Sequence, residues 1–265
     1  MRLRSFISGM ALAFLPAMPA AAHAGFLWPV IDRAEEDGTV RMMASFSDDF
    51  PHADIALKSD HWTIVDPEGT KRPFETIASS NSRTFVETAL TAKGTYRLSS
   101  GERLGRTGQA ALIDGTYRLL GRDGLSVETL PEGTPVLTSQ TATVSDFYIT
   151  RGEASDTVLD TRIGRLHIVP LQNPTNLVTG EPFEIQIVFE DQAITDQRVT
   201  WFTPSGSREE ADPETQLQTD PNGRISVTPL TAGAHLLMVR RIAPAPEGAD
   251  TDVRSYTTVL SFEVK

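Results

Sequence analysis

The sequence contains no cysteine. A chain made for export then folds without disulfides, so its stability must come from conventional apolar cores and not from a small stapled scaffold. Aromatic residues are sparse, at 7%. No stretch keeps a 3.6-residue apolar period for three turns, which excludes a helical bundle or a coiled coil. Long apolar runs are missing too. The run Ile7–Leu15 is shorter than the roughly 20 residues that a helix needs to cross a bilayer, so no membrane span is expected in the mature chain. Positive charge is in deficit: 24 Lys and Arg face 35 Asp and Glu, for a formal charge of −11. A polyanion of this kind is not built for nucleic acid or anionic lipid. There is no G-x-S-x-G elbow, phosphate-binding glycine loop or H-E-x-x-H pair, and no thiol nucleophile. No enzymatic activity is expected.

What is present at the start reads as a leader. Arg2 and Arg4 precede the apolar run, Pro16 ends it, and Ala20, Ala21 and Ala22 follow. That is the layout of a secretory signal peptide, with a periplasmic destination. Small residues at −3 and −1 allow two cuts, after Ala22 or after Ala24. The distance from the apolar run favours the first, making residues 1–22 the signal peptide and His23 the new N-terminus. Losing the two leader arginines takes the formal charge from −11 to −13. The remaining chain, about 240 residues, is long enough for one large or two ordinary domains.

Short β-branched and aromatic runs recur, broken roughly every 8–12 residues by Gly, Pro, Asp or Asn, as in β-sandwiches. The runs that read as strands begin with Thr39–Phe46 and end with Tyr256–Val264. In "EIQIVFE", Ile185, Ile187 and Phe189 share one face, the pattern of a half-buried strand. "GRDG", Gly121 to Gly124, is expected to close a hairpin between "TYRLL" and "LSVETL". "TDPNG", Thr219 to Gly223, reads as a tight turn and not as a calcium loop. "GTYRL" occurs twice and "AGAHLLMV" repeats its form. Each is a glycine turn entering a strand, with Tyr96, Tyr117 or His235 expected to cover an end of a core. The polar stretch Arg151 to Asp160 lacks alternation. The expected fold is therefore all-β, with two tandem β-sandwich (immunoglobulin-like) domains over residues 23–151 and 160–265, joined by a linker at 152–159.

The five histidines carry the chemistry. His167 lies in the strand phrase "RLHIVP" and is expected to be paired or exposed. His52 and His61 sit among Asp48, Asp49, Asp54 and Asp60. Imidazole with carboxylate suits a divalent transition metal such as nickel, cobalt, copper or zinc. An N-terminal His23 adds an α-amine and a ring nitrogen that can close a chelate ring on one ion. The amine loses its proton near pH 7.7–8.0 at little cost. The expected metal ligands are His23 and His52, with Asp49 or His61 completing the set. No organic cofactor is expected. Because imidazole takes up protons near pH 6.5, binding should weaken below about pH 6.

Several phrases resemble a bacterial periplasmic family known as domain of unknown function 4198. They are "HAGFLWP", "SDDFPH", "VDPEGTKRP", "NSRTFVETALTAKGTYRL", "LHIVPLQNPTNLVTGEPFEIQIVFEDQAI" and "TDPNGRISVTPLTAGAHLLMV", and their order covers nearly all of the mature chain. Some members are labelled as nickel- or cobalt-uptake accessory components. The resemblance implies a metal ion as ligand, an envelope transporter or receptor as partner, and His23 and His52 as the positions that fall on recurrent histidines. The chain departs from relatives at Gly25 and Gln172, where they carry further histidines, so its site is poorer in imidazole. The second reading is a glycan- or protein-binding module of the cell envelope, using Phe26, Trp28, Trp62 and Trp201 as a platform.

Overall fold

Period-two alternation builds the sheets. In the strand Phe183–Phe189, the side chains of Phe183, Ile185 and Ile187 are fully buried while Glu184 is exposed, as one face packs on a core. The computed structural model describes residues 24–30, 38–122, 124–203 and 214–265. The expected signal peptide and His23 lie outside the described residues.

Nineteen strands are present among the described residues, in three sheets. The first sheet runs in the order β1 (Ala24–Pro29), β2 (Thr39–Ser47), β7 (Thr84–Ala89), β6 (Thr76–Ser79), with β3 (Ile55–Ala56) added to β2. The central sheet holds ten strands. Its path is β16 (Glu214–Gln218), β15 (Arg198–Phe202), β18 (Gly233–Pro244), β19 (Val253–Val264), β11 (Val136–Arg151), β8 (Gly94–Ser99), β4 (Thr63–Val65), β5 (Lys71–Arg72). A hairpin of β9 (Arg103–Ile113) and β10 (Thr116–Leu119) joins it through β11. The third sheet is β12 (Leu166–Pro170), β13 (Phe183–Phe189) and β14 (Gln192–Ala193), with β17 (Arg224–Val227) on β13.

Two sandwiches share the central sheet. In one core, Leu27, Val40, Met42, Ala44 and Val86 of the first sheet meet Ile64, Tyr96, Leu98 and Phe147 of the central one. In the other, Leu166, Ile168, Phe183, Ile185 and Ile187 meet Val199, Leu237, Val239, Tyr256 and Leu260. Each fully buried aliphatic or aromatic side chain contributes about 1.5–3 kcal/mol. A third cluster sits between β1 and the central sheet: Ala24, Phe26, Phe50, Phe202, Leu236, Met238 and Val259. Alternation along β18 explains it, since Leu237 and Val239 face one covering sheet and Leu236 and Met238 the other.

The 152–159 segment is the first part of the connection, residues 152–165, from β11 to β12. It carries Val158 into the core at 0% exposure and Leu159 at 8%. On either side of it, β11 and β19 pair in parallel from Ser139↔Val253 to Phe147↔Ser261, so the central sheet draws strands from both halves of the chain.

One local expectation is corrected. "GRDG" does not join two long strands. Arg122 and Leu125 form an isolated bridge, and "LSVETL" enters a 3-10 turn at Val127–Thr129. Ser126 to Leu130 is too polar and too half-exposed to add to a sheet. The strand Thr116–Leu119 pairs backwards instead, with β9. The "TDPNG" turn forms as expected: Asp220 Oδ1 accepts the backbone N–H groups of Asn222 and Arg224, both at 2.8 Å. This side-chain mimicry of a backbone turn is the reason for Asp there.

Candidate metal centre

Two phrases distant from each other in the resemblance meet in space. β1 pairs antiparallel with β2 from Ala24↔Ser47 to Pro29↔Met42. It is an edge strand, which tolerates Pro29. Ser145 Oγ of β11 donates to the Gly25 carbonyl at 2.9 Å, pinning β1 to the central sheet. Directly after β2 the chain turns through 48–54. His52 N–H donates to the Asp49 carbonyl at 2.8 Å, Asp49 N–H to Ser47 Oγ at 2.9 Å, and Asp48 N–H to Asp54 Oδ2 at 3.1 Å. Phe50 is buried and packs edge-on against Phe26 and Trp28, with centroids at 5.1 and 5.8 Å. Such pairs add about 0.5–1.5 kcal/mol beyond burial. They fasten "SDDFPH" to "GFLW".

The turn brings Asp49 and His52 together. His52 Nδ1 lies 3.2 Å from Asp49 Oδ2. A carboxylate on Nδ1 fixes the proton there and leaves the Nε2 lone pair for a metal. The imidazole is half exposed, so that lone pair is reachable from solvent. Asp49 Oδ1 is buried and has no hydrogen-bond partner among the described residues, and a buried carboxylate oxygen without a donor is costly unless a cation or donor meets it. His61 does not join them. It sits at the entry to β4, its N–H donating to Ser59 Oγ at 3.1 Å. Among the described residues, no group of three or more His, Asp or Glu side chains is placed to hold a metal ion. His23, expected to supply the amine and imidazole of the chelate, lies outside the described residues.

A second polar cluster escaped the sequence reading. Arg97 on β8 and Asp146 on β11 form an ion pair at 2.6 Å, 1% and 2% exposed. The other Arg97 amine donates to the Thr161 carbonyl. Tyr148 and His167 are also buried, and the Tyr148 hydroxyl and His167 Nδ1 have no hydrogen-bond partner among the described residues. Burial would lower the Arg97 pKa, but the charges of Asp146 and Tyr148 and the bond to Asp146 leave it raised. Burial pushes the Tyr148 hydroxyl up to about 12. Burial, reinforced by Arg162 and Arg97, pushes His167 down to about 4. His167 is thus paired with Val188 in the sheet and buried, not exposed. Alternation places Asp146 with Val144 and Tyr148 on one face of β11, and an acid on an otherwise apolar face was the signal available. Arg97 was hidden because a sheet covered on both sides buries both faces of β8.

The other rings are structural. His235 is fully buried, with Nε2 at 2.8 Å from the Thr231 carbonyl and the ring stacked between Trp201 and Phe262. Tyr96 is also fully buried; its hydroxyl donates to the Ala92 carbonyl at 2.9 Å. Phe26 and Trp62 are core residues, and Trp28 packs against Phe50 and Phe147. The four aromatics considered for a sugar platform do not form one.

The fold and this corner define an all-β protein of sandwiched sheets that presents a small acid–imidazole turn beside the start of its first strand. The chain belongs to the family described as domain of unknown function 4198, which matches residues 20–243. No curated protein matches it. Among solved structures, the chain is similar to the D0-D1 domain of Intimin, at 13% identity and a TM-score of 0.22, covering 85% of this chain and 91% of that one. It is also similar to a tetra-tandem repeat in the extending region of a large adhesion protein, at 11% identity and a TM-score of 0.23, covering 91% and 74%. Likeness at this level bears on neither activity nor ligand.

Proposed function

We propose that this chain is an exported periplasmic protein that binds a divalent transition metal ion, nickel, cobalt or copper, as an accessory to metal uptake or handling. It works beside an envelope transporter or receptor and performs no catalysis. One observation carries the reading: the Asp49–His52 pair, held at 3.2 Å beneath the start of β1 with Asp49 Oδ1 left without a partner. In this reading His52 Nε2 is a ligand and Asp49 orients it.

The second support is chain distance. Ala24 is opposite Ser47, two residues before Asp49. The described start of β1 therefore lies beside the turn that carries Asp49 and His52. If cleavage follows Ala22, the His23 amine and imidazole supply a chelate ring there. Nitrogen donors suit nickel, cobalt and copper ahead of magnesium or calcium. His61 lies outside this set.

Nickel binding by the processed protein, measured with His52→Ala, Asp49→Asn and His61→Ala, tests the reading. His52→Ala should abolish tight binding. Asp49→Asn should weaken it by about 10–100-fold, as for orienting carboxylates elsewhere, and His61→Ala should leave it unchanged. Equal affinity in the wild type and His52→Ala contradicts the reading.

A further inference from the structure

The hairpin β9–β10 folds over the end of β18 and encloses a groove of about 280 Å³ lined by Tyr117, Arg118, Arg122, Leu125, Arg240 and Ile242. The sequence explains its position. Leu236 and Met238 of β18 lie under β1, in the cluster with Phe26. Arg240 and Ile242 continue the same face of the strand beyond the reach of the first sheet, and the hairpin covers them instead. Arg240 Nε donates to Thr257 Oγ1 at 3.1 Å, which anchors its guanidinium on the central sheet. Gly121 N–H donates to the Leu125 carbonyl at 2.7 Å, and this turn holds Arg122 at the rim.

Among the described residues, the charged side chains lining this groove are all arginines. Some arginines elsewhere find acids, as Arg41 does Glu87, Arg72 Asp66, Arg97 Asp146 and Arg165 Glu190; others, such as Arg103, Arg151 and Arg241, bond singly to carbonyl or amide oxygens. Arg118, Arg122 and Arg240 have no ion pair among the described residues; Asp123, in the turn, lies outside them. Burial and the neighbouring Arg122 charge both lower the Arg240 pKa, which is the mark of cations brought together without an anion. In a chain of formal charge −11, with acids in excess, such a gathering is not the default outcome of surface composition. Guanidinium forks match carboxylate and phosphoryl oxygens two at a time. Tyr117, Leu125 and Ile242 supply an apolar wall beside them.

We propose that this groove binds a small organic oxyanion, a carboxylate or phosphate monoester, with its charged head on Arg118, Arg122 and Arg240 and its apolar body against Tyr117 and Leu125. The site is independent of the Asp49–His52 corner.

Titration of the full-length protein with phenyl phosphate, benzoate, inorganic phosphate and phenol, followed by amide chemical shifts, tests this. Phenyl phosphate or benzoate should bind saturably, shifting β10 and β18 signals and not those of 48–54. The tighter of the two identifies the head group. Phenol should not bind, and inorganic phosphate should bind more weakly than phenyl phosphate. Arg118 and Arg122 are exposed, so Arg118→Ala/Arg122→Ala should keep the wild-type melting curve and bind at least about tenfold more weakly. Raising sodium chloride from 0.05 to 0.5 M, as concentrations chosen to shorten screening from roughly 14 to 4 Å, should weaken binding as well. Absence of saturable binding by both organic anions, or the same affinity in the double variant, overturns the proposal. Inorganic phosphate binding as tightly as phenyl phosphate overturns the assignment of the apolar wall.

Discussion

Replacing Asp146 by Asn keeps the shape of the side chain and removes its charge. Arg97 then remains fully buried, with the Thr161 carbonyl as its retained partner and its Nε already without one. The pair is 2.6 Å long and shielded on both sides, by β4 and β19 in the plane of the sheet and by the 152–165 connection, whose Thr161 carbonyl Arg97 reaches. Breaking a buried pair by neutralising one partner costs about 3–5 kcal/mol, because the surviving charge has lost water and gained nothing. Asn can still accept one bond, so the lower end applies, about 3 kcal/mol. For a chain of this size that is a fall of about 6–12 °C in melting temperature. Thermal and urea unfolding of Asp146→Asn read it directly. The double variant Arg97→Met/Asp146→Leu removes the stranded charge and should recover most of the loss. A loss below about 1 kcal/mol in the single variant, typical of exposed pairs, would refute the argument.

Three further outcomes follow from individual positions. His167 takes its proton near pH 6.5 when unfolded and near 4 when folded; between those values the unfolded chain holds more protons, so stability falls as pH falls, by about 3 kcal/mol in all. His167→Gln should flatten that part of the stability–pH curve, and an unchanged curve would count against the burial argument. Gly101 has φ +64, and a Cβ there would stand 2.1 Å from the His61 carbonyl oxygen; Gly101→Ala should cost at least about 2 kcal/mol in urea unfolding. Residues 160–265 expressed alone lose β11, the parallel partner of β19, together with Ala142, Val144 and Tyr148 of their core; their melting should be broad and non-cooperative, and a sharp two-state transition would show that the half-sheet suffices.

Strands with clean alternation were legible in the sequence. The alternation in "EIQIVFE" was expected to make a strand and Phe183–Phe189 forms; Thr39–Phe46 was expected and Thr39–Ser47 forms. Strands defined by pairing more than by pattern were not. β1 contains Gly25 and Pro29 and shows no alternation, yet it is held by β2 and by Ser145. β6 is exposed at all four positions, Ile77 included, so it has no buried face for alternation to mark. β16, also mostly exposed, depends on β15 in the same way. At the candidate site, the Asp49–His52 contact was readable because an i,i+3 spacing in a tight turn is local. That Phe50 would seat this turn on Phe26 and Trp28 was not, since it depends on an aromatic contact between separate strands. Arg97 and Asp146 were invisible for a related reason: the sequence does not reveal that both faces of the central sheet are covered.

The central claim is that the Asp49–His52 corner and an N-terminal His23 hold one metal ion together. Calorimetry with nickel on protein beginning at His23, against the same protein beginning at Gly25, tests it most directly. The account predicts one ion per chain for the His23 form and affinity at least about 100-fold lower for the Gly25 form, since the shorter chain keeps an α-amine but loses the imidazole that closes a chelate ring with it. Equal nickel affinity in the two forms would contradict it.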